Sequence, residues 1–189
     1  MKRFPYVFLA LSGLLLSLYS YNLDNPVKQV FSGINIPIFN FILSVITNFG
    51  VVIVIMALLP FLMLRTQKKK PAGFILSTFG LSVILAFFLK MIFLRQRPND
   101  VFLYPLISII NYSFPSMHSM AVFSVLPFLE LYLPKQRIFW ISYATLAAFS
   151  RLYFDFHYLS DVVFGMFAGY LVGSVMLDFY LAKNGQKKS

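Results

Sequence analysis

Six runs of mostly apolar residues dominate this 189-residue chain, at roughly 5–21, 37–63, 71–94, 116–133, 138–156 and 158–181. A run of about 20 apolar residues coiled as an α-helix crosses the hydrocarbon of a bilayer. Lipid offers backbone N–H and C=O groups no partner, so a chain crossing it repeatedly without strand alternation must do so as helices. The expectation is an all-α, six-transmembrane-helix bundle forming one domain over residues 1–189. The second run is long enough to tilt or to begin outside the hydrocarbon, and only a short polar break parts the fifth from the sixth. The opening "MKRFPYVFLALSGLLLSLYSYN" has the basic start and apolar middle of a signal peptide but no small-x-small cleavage pattern, which favours an uncleaved first span. Composition agrees, with 59% hydrophobic and 12% charged residues, far from the soluble globular range. The absence of cysteine excludes disulfide frameworks and thiolate metal sites.

The formal charge of +10 invites a nucleic-acid reading until the cations are placed. Lys2 and Arg3, the "RTQKKK" of 65–70, the "KQR" of 135–137, and Lys183, Lys187 and Lys188 make eleven of the sixteen Lys and Arg residues. All eleven fall on one side of a six-span layout. The positive-inside rule makes that side cytoplasmic, with both termini in. The charge then serves topology and attraction to anionic headgroups, and no nucleic-acid partner is implied. The other five cations, Lys28, Lys90, Arg95, Arg97 and Arg151, lie on the outer side, where both histidines, His118 and His157, also map. Any one of these cations alone is explained by snorkelling to the interface. Together they point to a site, because ionisable groups near or within spans are costly and usually paired or functional.

Three constellations face that side. In "KMIFLRQRP", Lys90 and Arg97 are seven apart, two helical turns, so a helix would place both on one face. Pro98 then turns the chain out of the span. Two cations, one of them an Arg fork, suit a phosphate or carboxylate, while Arg95 points away and reads as an interface anchor. In "NYSFPSMHSM", Pro115 and Ser116 start a helix, Ser116 being a favoured N-cap, with His118 in the first turn. This is either an anion site at the helix N-terminus or a capped start with an interfacial His. In "SRLYFDFHYLSD", His157 and Asp161 are i, i+4 on a first helical turn, where the carboxylate would fix the imidazole tautomer and leave the other nitrogen free to attack. A structural His–Asp bond is the alternative, but it leaves Arg151 and the second histidine unexplained.

These residues resemble the type 2 phosphatidic acid phosphatase superfamily of membrane lipid phosphatases, whose pattern is K-x6-R-P, then P-S-G-H, then S-R-x5-H-x3-D. The chain carries Lys90, Arg97 and Pro98; Pro115, Ser116 and His118; and Ser150, Arg151, His157 and Asp161. Ten of eleven specified positions match across residues 90–161. The departure is Met117, where the family has a glycine that lets backbone approach phosphate. The resemblance implies that His157 attacks phosphorus and Asp161 orients it. It makes His118 the acid for the leaving oxygen and then the base for water. Lys90, Arg97, Ser116 and Arg151 hold the phosphoryl oxygens.

No cofactor and no metal are called for, since three cations can neutralise the equatorial oxygens of the transferring group. The implied partners are the bilayer and a phosphorylated membrane lipid met at the outer interface. Undecaprenyl diphosphate leads by family habit, with lipid A, phosphatidylglycerol phosphate and phosphatidic acid as alternatives. Segments 23–36 and 101–112 read as interfacial pieces that either gate substrate entry or pack as lids. The rival class is a non-enzymatic bundle: a haem protein with His118 and His157 as axial ligands, or an anion transporter. Asp161 one turn from His157 and the surrounding cations fit haem poorly. Charges gathered at one end fit a transport route poorly.

Overall fold

The structure, a computed structural model, describes residues 4–65, 71–99 and 111–185. Within them the protein is all-α. Helix α1 spans Phe4–Tyr21 and α2 Asp24–Ser32, and the two axes meet at 62°. Helix α3, Pro37–Ile46, starts on the proline expected at the first helical position. It breaks at Thr47–Asn48, where the Asn48 side chain accepts the Gly50 N–H at 2.9 Å and opens α4, Phe49–Ile53. A π-turn, Val54–Leu58, links α4 to α5, Leu59–Leu64. Leu59 N–H reaches back to the Val54 carbonyl, an i→i−5 bond that accommodates Pro60, which cannot donate to a regular turn. Helices α6 (Ala72–Phe93), α7 (Met117–Tyr132), α8 (Arg137–Tyr153) and α9 (Leu159–Lys183) complete the bundle, with a 3₁₀ turn at Pro134–Gln136.

By length and apolarity, α6 and α9 are each able to cross a membrane. The bent pairs α1–α2 and α3–α5 raise the candidates to four if each pair is one span. The shorter α7 (16 residues) and α8 (17 residues) lie where the fourth and fifth spans were expected. The protein is thus an all-helical membrane bundle. Lys2, Arg3, residues 66–70, Lys187 and Lys188, used above for orientation, lie outside the described residues, as do residues 101–110 of the apolar segment 101–112.

Helices α7 and α9 form the central pair, with α1 on the far side of α9 and α6 and α8 flanking α7. The core between them holds Phe128, Leu129, Trp140, Ala144, Leu177 and Tyr180. Gly165, Gly169 and Gly173 run up one face of α9 at i, i+4 spacing against the α7 backbone. A Cβ on Gly169 would lie 2.2 Å from the Met120 carbonyl oxygen, and one on Gly173 would lie 1.9 Å from that of Ser124. Only a missing side chain allows so close an approach. Ser82 on α6 donates to the same Met120 carbonyl at 2.9 Å. This packing sets the N-terminus of α7 beside that of α9, where Ser116 N–H bonds the Asp161 carbonyl at 3.1 Å.

Candidate active site

Lys90 lies in the last turn of α6, and α6 ends at Phe93. Leu94 sits in the left-handed region (φ 47°), a conformation costing a non-glycine residue about 1–2 kcal/mol, and turns the chain back towards the bundle. Lys90 and Arg97 therefore do not share a helix face two turns apart. They meet because the chain reverses between them. The Lys90 side chain is 1% exposed. Its Nζ donates to the carbonyls of Tyr112 and of Ser113, the latter at 3.2 Å. Arg97 donates from Nε to the Asn111 carbonyl (2.8 Å) and from Nη1 to that of Phe156 (3.2 Å).

Pro115, joined to Phe114 by a cis peptide, leads into Ser116, the N-cap of α7, whose Oγ accepts from the Ser119 hydroxyl at 2.9 Å and faces Ser119 N–H at 3.4 Å. His118 follows in the first turn, with Phe49 edge-on at 4.7 Å between ring centroids. Arg151 ends α8. Its Nε bonds the Ser150 hydroxyl at 3.0 Å, and its Nη2 bonds the Thr47 hydroxyl at 2.7 Å and the Thr47 carbonyl at 3.3 Å. The break between α3 and α4 thus aims this guanidinium. Arg151 Nη1 lies 3.4 Å from His118 Nε2. A guanidinium only donates, so that nitrogen is the acceptor here and carries no proton in this arrangement.

After α8 the chain folds back on itself. Phe156 and His157 N–H groups bond the Arg151 carbonyl at 3.0 and 3.2 Å, and Asp155 takes a positive φ of 53°, which Asp tolerates better than most residues. His157 sits in this turn just before α9 rather than on its first turn, while Asp161 is the third residue of α9. The two approach at 3.7 Å between Nδ1 and Oδ2, a close approach longer than a hydrogen bond. Nδ1 is buried with no hydrogen-bond partner among the described residues. Burial, and then the positive charges of Lys90, Arg97 and Arg151, push the His157 imidazole well below the ordinary histidine range.

Lys90, Arg97, His118, Arg151 and His157 all line one cavity of about 800 Å³, together with Met117, Asn48, Phe49 and an apolar wall of Val83, Ile84, Phe87 and Phe88 from α6. Ser116 and Asp161 are fully buried behind it. All seven sequence-predicted site residues therefore gather at one end of the bundle.

Arg95 is a correction. It is not an interface anchor: its Nη1 bonds Asp161 Oδ1 at 2.6 Å and its Nη2 bonds Asp24 Oδ2 at 2.7 Å. The helix projection failed because α6 stops before reaching it. Asp24, Thr47 and Ser113, whose hydroxyl bonds Asp161 Oδ2, were also missed. Only Asp24 left a signal, as an acid on a side crowded with unmatched cations.

A helical membrane bundle with a cationic, histidine-bearing cavity at one end is the architecture of an enzyme that handles an anionic headgroup. Residues 71–184 match the PAP2 superfamily, and the chain belongs to it. The fold is similar, over 97% of this chain and 98% of the other, to the crystal structure of a transmembrane PAP2 type phosphatidylglycerolphosphate phosphatase from Bacillus subtilis. The two share 25% sequence identity and a TM-score of 0.72. The protein is a multi-pass membrane lipid phosphatase of the PAP2 type, a metal-independent phosphatase family.

Proposed function

We propose that this enzyme removes the terminal phosphate of a membrane lipid at the outer face of the membrane, through a phosphohistidine on His157. The observation that carries this reading is the cavity itself, lined by three cations, two imidazoles and a wall of aliphatic and aromatic side chains along α6. Such a shape offers a phosphate a cationic seat and a lipid chain an apolar path. In the first step His157 Nε2 attacks phosphorus, and the bond from phosphorus to the lipid oxygen breaks. His118 gives that oxygen its proton. A phosphoryl group taking up the Arg151 N–H frees His118 Nε2 to carry that proton. In the second step water attacks the phosphohistidine, His118 accepts its proton, and inorganic phosphate leaves with His157 restored. Lys90, Arg97 and Arg151 hold the phosphoryl oxygens, and Ser116 shapes the α7 start beneath them. Asp161 supports the ring as it becomes cationic.

Phosphatidylglycerol phosphate heads the substrate candidates, because the Bacillus subtilis relative named for it aligns along nearly the whole chain. Undecaprenyl diphosphate, the expectation from family habit, is the second reading, with phosphatidic acid and lipid A behind it. Release of phosphate from this panel by purified protein in detergent, against His157→Ala, is the test. Equal release by wild type and variant would sink the assignment, and one preferred lipid would settle the substrate.

The proposed orientation has six spans, both termini cytoplasmic and the cavity facing the periplasm or the outside. Because the chain has no cysteine, single introduced cysteines report sidedness cleanly. Ser32→Cys in intact cells should react with a membrane-impermeant maleimide and Lys135→Cys should not. The opposite pattern would invert the topology.

A further inference from the structure

We infer that Arg95 and Asp24 act as a positioning pair for the reaction, Asp24 holding the Arg95 guanidinium and Arg95 holding the carboxylate of Asp161 beside His157. The inference rests on the assignment of His157 as nucleophile. Arg95 lies between two carboxylates that are 137 residues apart in sequence and nearly inaccessible, their side chains 5% and 0% exposed. Its plane is steadied by the Tyr158 ring 4.1 Å below the guanidinium carbon and the Tyr21 ring at 5.2 Å. Ser160 closes the cluster: its N–H bonds Asp24 Oδ1 at 2.8 Å, and its hydroxyl lies 2.6 Å from Asp24 Oδ2 and 2.7 Å from Arg95 Nη1.

Orientation follows from how the oxygens of Asp161 are used. Arg95 occupies Oδ1. Oδ2 accepts from the Ser113 hydroxyl and from Tyr158 N–H at 2.9 Å, and it is this oxygen that faces His157 Nδ1. With Oδ1 pinned, the carboxylate cannot rotate away from the ring.

Charge follows from the count around Arg95. One guanidinium between two carboxylates leaves the trio with one net negative charge. Asp24 therefore takes up part of the Arg95 charge, and Asp161 keeps enough negative character to support an imidazolium. Arg95 paired with Asp161 alone would cancel it. A contact needed only to dock α2 against α9 is already made by Asp24 with Ser160, and Lys28 Nζ bonding the Pro98 carbonyl at 2.6 Å docks α2 a second time. The second arm of Arg95 is left over from docking, and it goes to Asp161.

The test uses the full chain in detergent with the preferred lipid from the panel, comparing wild type, Asp24→Asn, Arg95→Lys, Arg95→Met and His157→Ala. Asp24→Asn and Arg95→Met should lower kcat by about 10- to 100-fold, the range that indirect partners of reactive groups show. KM, and inhibition by added inorganic phosphate, should stay near wild type, because Lys90, Arg97 and Arg151 are untouched. Phosphoenzyme trapped at alkaline pH should form more slowly by the same factor. Arg95→Lys, which keeps one contact and the charge, should recover part of the loss. Asp24→Asn is isosteric, so it answers the question even if Arg95→Met fails to fold. Wild-type kcat in Asp24→Asn, or equal losses of kcat and phosphate affinity, would overturn the positioning role while His157→Ala stays inactive. Activity persisting in His157→Ala would overturn the nucleophile assignment and the pair with it.

Discussion

Gly169→Ala is the substitution whose effect can be worked most directly from the structure. The added methyl would sit 2.2 Å from the Met120 carbonyl oxygen, and carbon–oxygen contacts settle no closer than about 3.3 Å. The obstacle is backbone on a neighbouring helix, which cannot rotate aside as a side chain can. Helices α7 and α9 must therefore part by about 1 Å, the shortfall against that contact distance. Ala is the better helix former by about 1 kcal/mol, and overpacking costs about 1–3 kcal/mol or more, so stability should fall on balance. Catalysis should suffer more. Helix α7 carries His118 and α9 carries Asp161, and a misplacement of about 1 Å costs on the order of 10²-fold in rate. The assay is phosphate release per folded protein, with thermal melting in the same detergent. Gly80→Ala on α6 is the control, since a Cβ there meets nothing within 4 Å, and it should lose neither activity nor Tm. Gly169→Ala with wild-type turnover and melting would refute the argument that this glycine sets the distance between the proposed catalytic residues.

Other substitutions test the site more locally. Because the folded-state pKa of His157 is depressed, the ring stays neutral and nucleophilic below the ordinary histidine value of about 6.5. The acid limb of kcat/KM should therefore fall below that pH. The same sign applies to stability: the unfolded chain takes up this proton first, so the wild type should lose Tm on acidification below pH ~6.5 faster than His157→Ala does. Thr47→Val removes the hydroxyl that receives Arg151 at 2.7 Å and should raise KM several-fold with little change in Tm, read from steady-state kinetics. Met117→Gly opens the cavity lining at the start of α7. It should leave folding intact and change turnover or the order of preferred lipids in the panel. Incubation with EDTA should leave activity intact, and its loss would contradict a mechanism that neutralises phosphate with Lys90, Arg97 and Arg151.

What could be read from the sequence was whatever depends on near neighbours. Ser116 caps α7 and puts His118 in its first turn because Pro-Ser before an apolar run encodes that locally. His157 and Asp161 approach each other across only four positions, His157 from the turn before α9 and Asp161 from its first turn. Lys90 and Arg97 line one cavity, as their spacing suggests, but a left-handed Leu94 and not a shared helix face brings them there. Arg95 departs from its expected outward place for the same cause, since a helical projection has no meaning beyond Phe93. Thr47 lies 104 positions from Arg151, and Asp24 lies 71 from Arg95 and 136 from Ser160, and no periodicity links them to the site. The glycines of α9 were visible as letters, but the α7 carbonyls that require them were not. The count of membrane-crossing helices is less legible still, because α3 and α5 read as one apolar run and fold with a break at Thr47.

The break at Thr47 and the bend before Asp24 have a consequence for protein engineering. The family match begins at residue 71 and contains every motif residue, which makes 71–184 look like a portable catalytic cassette. Yet Arg151 is aimed by Thr47 and Arg95 is braced by Asp24, both upstream of it. A chimera joining this motif half to the leading helices of a relative would keep each residue of the signature and still assemble a misaligned centre, unless the donor brought its own equivalents of that hydroxyl and that carboxylate. On the proposed mechanism the leading helices belong to the catalyst, and they are also where a graft that respects both contacts has most freedom to reshape the lipid path.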